Sequence, residues 1–185
     1  MSLSPVLAFA MFYRKQLFIM ETIAVISIGL SITAAITALI LAAISDIKRY
    51  IIPNWIVVAI LLSYIISAIF MPIGYIFNGF IVGIVVFSVG SVLFSLGLMG
   101  GGDVKLLAAV SLWAGVAHVV AFMLVTSLCG AALGVIMLSP LRRLMPPPSE
   151  GALRLTGANR IPMPFGAAIA FGGVFVLTLQ LPLPL

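Results

Sequence analysis

Charged side chains interrupt this chain so rarely that long apolar runs dominate it. Charge-free stretches fall at about 22 to 45, 55 to 73, 79 to 102, 106 to 141 and 161 to 185, each bounded by charges, proline or glycine. A bilayer core about 30 Å thick is crossed by about 20 apolar residues in a helix, so four of these stretches have the length of one crossing. The 36 residues of the fourth would measure about 54 Å as one helix. That stretch is expected to fold back near Gly115 to His118, into one short helix and one full one. The pattern predicts an all-α integral membrane protein of about six transmembrane helices, forming a single domain over residues 1–185.

Composition removes the soluble alternatives. Only 7% of the 185 residues are charged and 64% are hydrophobic, with a mean hydropathy of +1.37, whereas soluble domains carry about 25% charged residues. A water-facing surface cannot be built from such a chain. The lone cysteine, Cys129, excludes an internal disulfide and any Cys-x-x-Cys metal site, and its apolar surroundings suit packing.

The net charge of +5 comes from nine basic residues against four acids. In a membrane protein this excess reports orientation and contact with anionic lipid, not nucleic acid. Lys48 and Arg49 lie between the first two helices, Lys105 follows the third, and Arg142, Arg143, Arg154 and Arg160 lie between the last two, while the connection at 72–78 has no charge. The positive-inside rule makes the three basic connections cytoplasmic and both termini external. The connection from 140 to 160, with Pro140, Pro146 to Pro148 and two glycines, is expected to be an irregular cytoplasmic loop.

Arg14 and Lys15 would then lie outside, and they follow an apolar stretch where a secretory signal would place them before it. This favours Met20 as the start and residues 1–19 as an upstream extension, which N-terminal sequencing of the native protein decides.

The four acids are Glu21, Asp46, Asp103 and Glu150. Glu21 and Glu150 fall where solvation explains them. Asp46 and Asp103 lie at the cytoplasmic ends of hydrophobic segments, where a carboxylate beside hydrocarbon is costly and marks a functional candidate. Asp103 follows Gly100-Gly101-Gly102, and glycines permit unusual backbone conformations or the close approach of another helix. If the neighbour it meets carries Asp46, two carboxylates share a partly dry site and repulsion makes it hard for both to ionise. An ionised carboxylate can take a proton from attacking water while a protonated one donates to a carbonyl oxygen, which is aspartic protease chemistry.

Three segments carry a resemblance to a known family. Gly100 to Asp103 with Val-Lys105-Leu-Leu-Ala-Ala, Asp46 with Ile52-Pro53-Asn54, and Ile161-Pro162-Met-Pro164-Phe-Gly166 together resemble the type IV prepilin peptidases of the GxGD aspartyl protease group, in the short form serving Flp/Tad-type pili. The resemblance covers about residues 40 to 175. It implies that Asp46 and Asp103 are the catalytic pair, with Gly100, Gly102, Lys105, Pro53, Asn54, Pro162 and Gly166 as motif residues around them. It further implies prepilin or pseudopilin substrates with a short basic leader, cleaved at the cytoplasmic face of the inner membrane, and contact with the pilus assembly machinery. Long family members carry a cysteine-bearing insertion associated with methylating the new pilin N-terminus. Here the connection from Asp46 to Pro53 is about ten residues with no cysteine, so peptidase activity without methyltransferase activity, and no metal or cofactor, is expected.

Simpler roles compete for the same residues. Asp46 could be a solvated helix-end carboxylate paired with Lys48 or Arg49, and Asp103 the N-cap of a helix beginning at Val104. Pro53-Asn54 and Pro162 suit helix starts, because proline fits the first turn and asparagine caps it. Lys48, Arg49 and Lys105 satisfy the positive-inside rule without further function. His118 reads as a solvated interfacial residue, and Trp55 and Trp113 as an interfacial aromatic belt. Two other functions compete with a peptidase. A small proton-coupled transporter is disfavoured because both aspartates lie at one surface and not near the midplane; a noncatalytic assembly factor would tolerate their replacement.

Overall fold

A computed structural model describes residues 5–144, 146–147 and 163–181. The described residues form five α-helices and one short 3-10 helix: α1 (Pro5–Arg49), α2 (Asn54–Ala68), α3 (Ile73–Ser95), α4 (Gly101–Leu138), the 3-10 turn Pro140–Leu144, and α5 (Phe165–Leu179). Three of them, α1, α3 and α4, are long and apolar enough to cross a membrane, and α2 and α5 are shorter apolar helices. Large apolar side chains such as Ile66, Phe77, Phe80, Val120 and Leu128 point outward from the bundle. With no polar shell over them, their natural solvent is lipid.

Where every outward surface is apolar, helices gain little by hiding hydrocarbon from lipid, so close packing of small residues carries the association. On α3, Gly79, Gly83 and Gly90 lie against α4, where an added Cβ would meet Leu112 or Val104 at 2.5 to 2.9 Å. On α5, Gly173 sits against Leu39 of α1 and Val110 of α4. On α1 the buried positions Ile32, Ala35, Ala38, Leu39 and Ala42 repeat at helical spacing along one face. The next position of that stripe is Asp46, itself only 4% exposed. The packing face of α1 therefore ends in a carboxylate.

The expected reversal in the long fourth run is present. Gly115 has φ 54 and ψ −172 inside α4, a backbone state that only glycine reaches readily, and it divides the helix into two arms. The second arm returns beside α5, since Gly130 meets Phe165 while Gly172 meets Phe122 and Thr126. The interrupted ladder is supported by side chains: the Trp113 carbonyl accepts from Tyr75 Oη at 3.0 Å and from Gln180 Nε2 at 2.7 Å.

Several expectations need correction. The first helix was expected over 22 to 45, but α1 runs for 45 residues, about 67 Å at 1.5 Å per residue. Arg14 and Lys15 lie on its exposed surface, where charge ends an apolar run without breaking any backbone hydrogen bond. The connection after Asp46 is correspondingly shorter than about ten residues, because Asp46 is still helical and only residues 50–53 separate α1 from α2. Trp113 is not interfacial: it is fully buried, stacks edge-on against Tyr64, and donates Nε1–H to the Ile60 carbonyl at 3.4 Å. Trp55 is exposed, as a belt residue would be. The 140–160 connection opens with the ordered turn Pro140–Leu144, and most of the remainder lies outside the described residues.

Candidate active site at one end of the bundle

Asp46, Asp103 and Gly166 come from three different helices and converge at one end of the bundle. The Asp46 carboxylate does not need a surface cation to satisfy it. Its Oδ2 accepts the backbone N–H of Ala167 at 3.0 Å, in the first turn of α5, where N–H groups have no partner within the helix. Gly166 permits this approach, since a Cβ there would lie 2.9 Å from the same oxygen and 2.5 Å from Ile52 Cδ1. Glycine is required by crowding at that position.

Asp103 occupies the first turn of α4, which starts at Gly101 and not at Val104, so it is not the N-cap that local sequence suggested. Its carboxylate turns back on Gly100, whose backbone donates to it, and the Asp46 charge lies within electrostatic reach. The partial positive charge of the helix start favours a carboxylate there. A Cβ on Gly100 would meet Asp103 Oδ2 at 2.9 Å, and one on Gly102 would meet Ile52 Cβ at 3.3 Å. Ile52 thus fills the seam between Gly102 and Gly166, and the three glycines keep space for two carboxylates and one aliphatic side chain.

Pro53 and Asn54 begin α2, but Asn54 does not cap it. Its Oδ1 accepts from Lys105 Nζ at 3.2 Å, joining the starts of α2 and α4 beside the aspartates. Pro162 lies outside the described residues, and α5 begins at Phe165 after Pro164. Thus Asp46, Asp103, Gly100, Gly102 and Gly166 gather at one end of the bundle, with Ile52 between Gly102 and Gly166 and with Lys105 and Asn54 paired at the edge.

The turn that delivers Ile52 is strained. Tyr50 has φ 56, and it is the one non-glycine residue with positive φ among the described residues. Such a conformation costs about 1–3 kcal/mol in a residue with a Cβ. Its N–H closes the turn on the Asp46 carbonyl at 2.7 Å, and Ser45 Oγ donates to the Ile51 carbonyl at 2.8 Å.

A model of the type IV leader peptidase family matches residues 33–135, more than half of the chain and inclusive of both aspartates. The chain belongs to the type IV leader peptidase family. No curated protein and no solved structure matches it. The matched stretch runs from the buried face of α1 into the second arm of α4, so both acidic ends of this leader peptidase fall within it. It stops before α5, whose Gly166 and Ala167 complete the surroundings of Asp46.

Two contributors were hidden in the sequence. The Ala167 amide is a backbone group that any residue supplies, and its only signal was its place just after Pro164-Phe165-Gly166 at a helix start. Ile52 stands in the segment Ile52-Pro53-Asn54, where nothing indicates that it fills the seam between two glycines.

Proposed function

We propose that this leader peptidase is an aspartic endopeptidase in which Asp46 and Asp103 act as a dyad. It removes the short basic leader of Flp-type prepilins at the cytoplasmic face of the inner membrane, with six crossings and a GxGD-type arrangement. The observation that carries this is the convergence of two carboxylates, from α1 and α4, at one end of an otherwise apolar bundle.

One carboxyl is ionised and the other protonated. The ionised one takes a proton from water as that oxygen bonds to the scissile carbonyl carbon, and the protonated one donates to the carbonyl oxygen. Collapse of the diol breaks the C–N bond, and the leaving nitrogen takes a proton from the dyad. The water bond forms without a covalent enzyme intermediate. Backbone N–H groups meet both carboxylates, Ala167 at Asp46 and Gly100 at Asp103, and each favours a charged form, so the single negative charge belongs to the pair.

Wild type, Asp46→Asn and Asp103→Asn, each coexpressed with a Flp-type prepilin at equal membrane levels, test it. Leader removal read by mass spectrometry should occur only with the wild type. Cleavage that persists in either variant removes that aspartate from the mechanism, and pilus assembly that survives both substitutions returns the chain to a noncatalytic role.

A further inference from the structure

The Tyr50 phenol donates to the Pro146 carbonyl at 3.1 Å, a contact between residues 96 positions apart. The same phenol lies within electrostatic reach of both Arg142 and Asp46. A turn needing φ near 56 is most easily made with glycine or asparagine. Here it is made with a tyrosine whose side chain spans from the Asp46 turn to the segment following the 3-10 helix.

We propose that Tyr50 is a positioning residue for the peptide substrate, its phenol fixing the Pro146 backbone beside the turn that closes on Asp46. This rests on the peptidase reading and adds a residue to that site. Tyr50 performs no proton transfer; it sets where the peptide passes before it meets the carboxylates. Losing the tether therefore weakens substrate binding and leaves the chemical step intact.

The test compares wild type, Tyr50→Phe and Tyr50→Asn, purified as full chains in lipid nanodiscs, against one prepilin. Phenylalanine keeps the ring and removes one hydrogen bond, so KM is expected to rise about two- to tenfold with kcat within twofold. Asparagine suits the positive φ but cannot reach Pro146, so KM is expected to rise at least as far while thermal stability holds or increases. Were Tyr50 only a turn former, Tyr50→Asn would keep the wild-type KM. Unchanged KM in both Tyr50 variants of an active enzyme overturns the positioning role alone. Absence of cleavage by the wild type overturns the peptidase reading, and the positioning role with it.

Discussion

Ala167 donates its backbone N–H to Oδ2 of Asp46 over 3.0 Å, so a side chain of the first helix is held by the opening turn of the last. Proline in the first turn of a helix deletes an N–H that the helix itself does not use. Ala167→Pro should therefore keep the helix while removing one bond to a charged group and setting the ring Cδ against Asp46 Oδ2 in its place. Such bonds are worth about 1.5–3 kcal/mol. Cleavage rate in detergent is expected to fall roughly tenfold or more, with an unchanged far-ultraviolet circular dichroism spectrum; wild-type turnover would mean that Asp46 is held by something else.

Gly166→Ala should be worse for activity than for folding. The new methyl would sit 2.9 Å from Asp46 Oδ2 and 2.5 Å from Ile52 Cδ1. Ile52 can rotate away, but the carboxylate must leave the Ala167 amide to do so. Overpacking of this kind costs about 1–3 kcal/mol. A thermal melt should fall by a few degrees, and leader removal should drop by at least an order of magnitude.

The Lys105–Asn54 bond should prove minor. Both side chains are exposed, and exposed charged contacts contribute about 0–1 kcal/mol. A double-mutant cycle with Lys105→Met and Asn54→Ala, followed by chemical denaturation, is expected to give a coupling near the bottom of that range. Prepilin cleavage should stay within about threefold of wild type. A complete loss in Lys105→Met would give this lysine a role at the dyad.

Gly115→Ala isolates a backbone effect, because an added Cβ there meets nothing within 4 Å. The cost is conformational, about 1–3 kcal/mol for an ordinary residue held at φ 54 and ψ −172. Lower thermal stability with little change in KM is expected; equal stability would show that the two arms of α4 can reverse by another route.

Rarity made the aspartates legible: in a chain with four acids, two at the ends of apolar runs stand out without any structure. Length made the break at Gly115 legible, because no single helix of that run fits one bilayer. What failed to show was long-range partnership. Trp113 looked interfacial because tryptophan is enriched in the aromatic belts of membrane surfaces, and nothing in the sequence shows that the Ile60 carbonyl lies within reach of its indole N–H. Asn54 looked like a cap because capping is a local preference, yet Lys105, far along the chain, takes its oxygen. The extent of α1 was missed because Arg14 and Lys15 mark where hydropathy changes, and a helix backbone is indifferent to that.

At its start α5 is tied to α1 through Ala167, and at its end Gln180 is tied to the Trp113 carbonyl of α4. The helix between them works as a gauge of fixed length. One inserted residue would turn everything beyond it by about 100° and advance it by about 1.5 Å, so either the bond at Asp46 or the bond at Trp113 could be kept, never both. Length variation in this protein therefore has to fall outside residues 167–180, however freely the apolar side chains within that segment are exchanged.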